Sequence, residues 1–303
     1  MKPHHDDGQS CFSTAKTPRG DNHGMVGTLY VCSTPIGNLE DITLRSLRIL
    51  READLIVGED TRRTRKLLSH YDIHTPLATS LFQGKEVEGT NRVLSLLRDG
   101  KTVALVSDAG TPLLSDPGYP LVRACVAERI PVISIPGPSA LLAALVSCGL
   151  PMDRFVFLGH LPRQPGPRQR VLETLQSVDS TVVFYESPHR IQATLEEVAA
   201  LWGHRPVVVA RELTKLHEEF VRGTAEEVQR ALASRAEVKG EFVVILGPLA
   251  GEETPMPAAE AVRTVYVELV SAGLVPKEAL QETADRLGLS RRAVYRLVHP
   301  TDS

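Results

Sequence analysis

Several signatures of cofactor and metal chemistry are missing from this chain. No G-x-G-x-x-G follows an apolar strand, which disfavours a nicotinamide cofactor in a dinucleotide-binding crevice. There is no P-loop, no H-E-x-x-H and no Ser-His-Asp spacing. The ten histidines are scattered, so no metal site is expected. Cysteine is scarce, and Cys11, Cys32, Cys125 and Cys148 form no C-x-x-C pair. Free, buried thiols in a reducing, cytoplasmic setting are the expectation. A surplus of positive charge is also absent: 34 Lys and Arg against 37 Asp and Glu leave a net charge of −3. Any nucleic acid must therefore be met by local basic patches. Long apolar runs are lacking too. The most apolar window, Ile130 to Leu150, is broken by Pro131, Pro136, Gly137 and Pro138, so it reads as strand, loop and helix rather than a membrane span. The start of the chain has no apolar core of a signal peptide, and residues 1–26 read as a disordered tail.

What is present fits a folded α/β protein. The 303 residues leave room for about two domains. Strand-like and helix-like segments alternate from Gly27 onward. Strands are expected at Thr28–Cys32, Asp54–Gly58, Val103–Val106 and Pro131–Ile135, and helices at Leu44–Arg51, Thr61–His70, Asn91–Arg98, Tyr119–Arg129 and Ser139–Val146. That order argues for a mostly parallel sheet covered by helices, spanning residues 27–150. A second set covers 151–250, with strands at Phe155–Leu158, Val182–Tyr185, Val207–Ala210 and Glu241–Leu246. Its helices are expected at Arg168–Gln176, Arg190–Leu201 and Ala225–Ala233. Glu219–Gly223 adds a hairpin strand and hence a mixed sheet. Residues 251–303 read as a Pro/Glu-rich linker and a helical region, with a helix-turn-helix pattern over Gln281–Val298 and Ser290 as the cap of its basic second helix.

The chemistry concentrates at strand ends. Ser107 to Gly118 leaves a buried strand as a Gly/Pro-rich loop and enters a helix, the place where α/β folds hold ligands. Ser33–Asn38 and Ile135–Ala140 are similar junctions, and in a parallel sheet the three converge on one edge. Glu59-Asp60 ends another strand, with Arg62, Arg63, Arg65 and Lys66 following on one helix that Asp60 or Thr61 can cap. A solvated helix face is the simpler explanation of that charge run. Tyr185–Arg190 and Arg211–Lys215 are rich in functional side chains, and salt-bridged loops would explain both equally.

Taken in order, Thr34–Leu39, Glu59–Arg62, Ser107–Pro112, Ile135–Ala140, Tyr185–Arg190, Arg211–Lys215 and Gly240–Val243 resemble the ribosomal RNA small subunit methyltransferase I family. The resemblance runs from about Gly27 to the C-terminus. It implies a tetrapyrrole methylase-like fold, in which two α/β domains clamp S-adenosylmethionine. It also implies methyl transfer to the ribose 2′-oxygen of a decoding-region cytidine in 16S rRNA, with the small ribosomal subunit as partner, and a homodimer. By position, the donor would meet Ile36, Asp108, Ala109, Gly110, Thr111, Pro136, Ser139, Ala140, Tyr185 and Leu213.

A 2′-hydroxyl is a weak nucleophile, so a carboxylate acting as general base is expected. Asp60, Glu59, Glu186 and Glu212 are the candidates, with Asp60 favoured because Arg62 and Arg63 beside it can hold the flanking phosphate. Lys66, Arg190, Lys215, Arg291 and Arg292 are further candidates for the RNA backbone. Two other readings stay open at this point. A precorrin-type C-methyltransferase would use the same donor, and a DNA-binding regulator would use Gln281–Val298.

Overall fold

Thr28–Cys32 (β1) and Thr102–Val106 (β3) are short apolar runs because their strands are central and buried on both faces. They pair in parallel with each other, and Leu55–Val57 (β2) and Val132–Ile135 (β4) complete a parallel sheet in the order β2-β3-β1-β4. The computed structural model describes residues 26–78, 86–203, 205–235, 239–248, 259–289 and 291–299. Residues 1–25 of the expected 1–26 tail, the linker and Ser290 lie outside them.

Side chains alternate across this sheet with the period of two that a strand imposes. Tyr30, Cys32, Ala104 and Val106 face one core, under helices Leu44–Glu52 (α1) and Thr61–His70 (α2). Leu29, Val103 and Leu105 face the other, under Glu86–Arg98 (α3) and Tyr119–Ala127 (α4). Because β3, β1 and β4 are neighbours and all run the same way, the loops that leave them emerge side by side.

The second sheet is mixed, in the order β5-β6-β9-β7-β8. Its strands are Phe155–His160 (β5), Thr181–Glu186 (β6), Val207–Arg211 (β7), Glu219–Gly223 (β8) and Phe242–Leu246 (β9). β5 and β6 are parallel, and the other pairs are antiparallel. One face carries Pro165–Thr174 (α6), Ile191–Trp202 (α7) and Ala225–Ala233 (α8) around Phe184, Val209 and Val244. The other face is covered by Ala140–Cys148 (α5), whose Leu141, Ala144, Leu145 and Cys148 share a core with Val183, Val208, Val243 and Ile245. Thus the helix that follows β4 packs on the second sheet, and Ile36 and Leu114 from loops of the first sheet pack against the same core. This shared apolar floor joins the two halves.

Ala259–Ser271 (α9), Pro276–Leu287 (α10) and Arg291–Val298 (α11) form a small three-helix unit around Val262, Leu280, Ala284 and Val294. Gly288, in the left-handed conformation at φ 63°, ends α10 and makes the turn into α11. Cys32, Cys125 and Cys148 are free and buried. Among the described residues no helix is long and apolar enough to cross a membrane.

Candidate active site

Backbone hydrogen bonds tie the converging loops into one wall. Thr34 and Gly110 exchange both of theirs, at 2.8 and 3.0 Å, joining the loop after β1 to the loop after β3. The Ser33 hydroxyl donates to Thr111 Oγ1 at 3.2 Å, and Thr111 Oγ1 donates to the Pro138 carbonyl at 3.1 Å, which brings in the loop after β4. Gly110 sits at φ 84°, and a methyl group there would come within 3.2 Å of Ile36 Cγ2. Only glycine meets both demands without strain.

The opposite wall comes from the second sheet. Asn38 N–H donates to the Thr214 hydroxyl at 3.1 Å, so the first loop of one half is clasped to a loop of the other. Between the walls lies a cleft of about 390 Å³. Each of the seven motifs contributes at least one lining residue: Ile36, Glu59, Asp108, Ser139, Tyr185, Leu213 and Gly240. The volume lies within the ~300–1,000 Å³ range of small-molecule sites. Ser139 Oγ lines the cleft, is buried and has no hydrogen-bond partner, so a ligand there would complete it.

Of the expected donor contacts, Ile36, Asp108, Ala109, Gly110, Thr111, Ser139, Ala140, Tyr185 and Leu213 line this cleft. Pro136 does not: it is exposed in the loop after β4, away from the lining. Burial pushes the Tyr185 hydroxyl up to about 12, which keeps it a neutral hydrogen-bonding group.

The four expected acceptors fare differently. Glu59 lines the cleft; burial and then Asp108 raise its carboxyl above the usual range, while Arg63 works to lower it. Asp60 is not in the lining. It is the N-cap of α2, accepting from the Arg62 N–H at 2.8 Å and from the Arg62 guanidinium at 3.1 and 2.7 Å. The Arg62 side chain is the largest cause that holds the Asp60 carboxyl down at about 2, too weak a base for a sugar hydroxyl. Glu186 lines the cleft, but its fully buried side chain accepts from Ser187 N–H at 2.7 Å, Thr194 Oγ1 at 2.8 Å and Arg190 Nη2 at 2.6 Å. Glu212 lies outside the lining and pairs with Lys215 at 2.9 Å. Burial works to raise its carboxyl, but the bonds from Lys215 and the Glu241 N–H bring it below its ordinary value.

The expected RNA contacts divide the same way. Arg63 lines the cleft with its Nε 3.6 Å from Asp108. Arg62 and Lys66 lie with Arg65 around a shallow depression on α2, outside it. Arg190 and Lys215 are held in ion pairs with Glu186 and Glu212, and Lys215 reaches Glu241 as well. Arg291 and Arg292 are exposed at the start of α11.

Sequence reasoning did not single out Ser115, Asp116, His160 or Glu241, which also line the cleft. Burial, then Glu59, push the Asp116 carboxyl up to about 6. Four non-glycine residues with positive φ belong to the loops at this cleft: Leu113, Ser115, Glu212 and Thr214. Backbone strain of this kind gathers at ligand sites. Among the described residues no group of three or more His, Cys, Asp or Glu could hold a metal ion.

The family model of the tetrapyrrole (corrin/porphyrin) methylases matches residues 28–229. Ribosomal RNA small subunit methyltransferase I of Halalkalibacterium halodurans is 45% identical over 277 residues, 90% of this chain and 95% of that protein. The protein of the same name from Bacillus subtilis is 39% identical over 282 residues, covering 90% and 94%. Among solved structures, cobalt precorrin-4 methyltransferase aligns with a TM-score of 0.55 at 19% identity, covering 74% of this chain and 96% of that one. Uroporphyrin-III C-methyltransferase of Thermus thermophilus, solved with S-adenosyl homocysteine, aligns at 0.52 and 22% identity, covering 73% and 97%. With its two clasped sheets and its motif-lined cleft, the chain belongs to the ribosomal RNA small subunit methyltransferase I family, within the tetrapyrrole methylase fold.

Proposed function

We propose that this methyltransferase methylates the ribose 2′-oxygen of a cytidine in the decoding region of 16S rRNA. The observation that carries the reading is the convergence of all seven family motifs on one cleft. Relatives named as small-subunit rRNA methyltransferases support the substrate. The donor is S-adenosylmethionine, in keeping with the fold and with the demethylated donor held by a structural neighbour. The cleft volume and the unpartnered Ser139 hydroxyl fit such a ligand.

When bound, the donor supplies an electrophilic methyl carbon on a sulfonium. The protein's part is to orient and to exclude water. Residues 27–150 and 151–250 act as the two domains of the clamp, and 251–303 as linker and helical region. Ile36, Ala140, Leu213 and the backbone of Ala109, Gly110 and Thr111 form the apolar and amide surface for the donor, with Asp108, Ser139 and Tyr185 as its polar contacts. Pro136 serves only by stiffening the loop that carries Ser139.

Outside the cleft, Arg62, Arg65 and Lys66 on α2 give the RNA backbone a cationic landing strip, which Arg63 continues into the cleft itself. Arg291 and Arg292 on α11 give a second grip, and Arg190 and Lys215 hold Glu186 and Glu212 in place. The target sugar must be single-stranded or drawn out of its stack to enter. The same reading makes the protein cytoplasmic and a homodimer, which sedimentation can test.

Incubation with methyl-labelled donor and either small-subunit rRNA, naked or assembled, or a precorrin tests the reading. Label in rRNA supports it. Label in the precorrin alone replaces it with tetrapyrrole methylation.

A further inference from the structure

Asp116 closes the loop that follows β3 and lines the cleft. Its loop comes up against the second sheet. Ser115 before it is held at φ 68°, and its hydroxyl lies so close to Gly159 of β5 that a methyl group on that glycine would come within 2.8 Å. The pairing of β5 with β6 shifts register between Phe157 and His160, the stretch that holds Gly159. Gly118, at φ 122°, then turns the chain into α4. The ionisable groups around Asp116 come from every neighbouring element. Glu59 after β2 and Asp108 after β3 act on it, and it acts on Tyr185 of β6. Arg63 of α2 and His160 of β5 line the same cleft.

We propose that the Asp116 carboxylate, with Glu59 lining the same cleft, is the proton acceptor for the hydroxyl that is methylated there. The inference rests on the rRNA reading above and deepens it. The hydroxyl oxygen forms the new bond to the methyl carbon. The bond from that carbon to sulfur breaks, its electron pair stays on sulfur, and the hydroxyl proton passes to Asp116 and then to solvent. Burial, followed by the Glu59 and Asp108 charges, makes Asp116 a stronger base than an ordinary aspartate, up to about 6, against the Ser107 hydroxyl that works to lower it. A base of that strength is ionised at neutral pH and still takes a proton usefully. The other carboxylates compare poorly. Asp60 is committed to Arg62, and Glu186 already accepts three hydrogen bonds or charged contacts.

The test uses the full chain, Asp116→Asn and Asp116→Glu. Three readouts apply: rRNA methylation against pH, calorimetry with S-adenosylhomocysteine, and carboxyl carbon NMR without donor. For Asp116→Asn, turnover falls about a hundredfold or more, while affinity for S-adenosylhomocysteine stays within about threefold, inside the range of context effects. The acidic limb of the rate profile and the NMR titration near 6 both disappear. Asp116→Glu restores part of the rate. Asparagine-variant turnover within threefold of the unmodified protein overturns the proposal, as does an unaltered acidic limb. If donor-product affinity falls as far as the rate, Asp116 is a binding group and the proposal fails. Absence of rRNA methylation by the unmodified protein overturns the rRNA reading and this inference together. Methylation that survives Asp116→Asn overturns this inference alone.

Discussion

The backbone N–H of Asn38 and the hydroxyl of Thr214 lie 3.1 Å apart, across 176 residues of chain. Their bond joins the loop that carries Ile36 to the loop that carries Leu213, and both of those residues line the cleft. Thr214 pays for its place with φ 64°. Thr214→Val keeps the branching and removes the hydroxyl. Affinity for S-adenosylhomocysteine is expected to fall by up to about fivefold, the worth of a hydrogen bond of ~1 kcal/mol, with little change in melting temperature. Calorimetry showing unaltered affinity would contradict a clasp.

Gly110 and Gly149 share a left-handed backbone but differ in surroundings, which separates strain from contact. Gly110→Ala at φ 84° presses on Ile36, whereas Gly149→Ala at φ 79° meets nothing within 4 Å. Both should lose about 1–2 kcal/mol of stability from the conformation alone. Only Gly110→Ala should also weaken donor-product binding, by about tenfold. Denaturation and calorimetry on the pair check this, and equal binding in both would remove Gly110 from the donor site.

Asp60 supplies a prediction with a pH signature. The Arg62 side chain and N–H hold its carboxyl at about 2 in the folded chain, below the ordinary 3.8. The stabilisation it gives α2 is therefore fully present above about pH 4 and lost as pH falls through about 2. Asp60→Ala should lower the melting temperature at pH 7, as loss of an N-cap does, and the difference from the unmodified protein should shrink as pH falls through about 2. If it abolishes methylation while stability and donor binding hold, Asp60 belongs to the chemistry after all.

Arg65 and Lys66 are exposed on α2 beside the Arg62 depression. Arg65→Ala with Lys66→Ala should weaken rRNA binding and flatten its salt dependence by about one to two units of log–log slope, as lost phosphate contacts do. Donor-product affinity should not move. Filter binding across a salt series measures it, and an unchanged slope would place the RNA elsewhere.

Much of the architecture was legible because its cause is local. β1 and β3 read as unbroken apolar runs since central parallel strands bury both faces. The 3-10 turn at Leu39–Asp41 was not legible. The Asn38 side chain, accepting from Glu40 N–H, and the Tyr71 hydroxyl, bonded to the Leu39 carbonyl, hold it from within and from afar. α3 begins at Glu86 rather than Asn91, because Val87 and Gly89 are poor helix formers that hide its first turns. The partner of α5 was hidden as well: apart from Ser147 its sequence is apolar and offers no preferred face, and only the tertiary structure sets it on the second sheet.

The site follows the same division. Asp108 and Ser139 stand directly at strand and helix ends, so topology alone brings them to the cleft. Asp116 is delivered by a loop whose path depends on positive φ at Gly110, Leu113 and Ser115, which no periodicity encodes. From sequence Asp60 is the favoured base, with Asp60 or Thr61 as the cap, and its hydrogen bonds from Arg62 show the cap.

Mass mapping of small-subunit rRNA after incubation with the protein and S-adenosylmethionine locates the methyl group that this cleft transfers. The expected result is one added methyl on the ribose of a single decoding-region cytidine, absent when donor or protein is omitted. A methyl on a base, methyls spread over many nucleotides, or an unmodified rRNA would contradict the account.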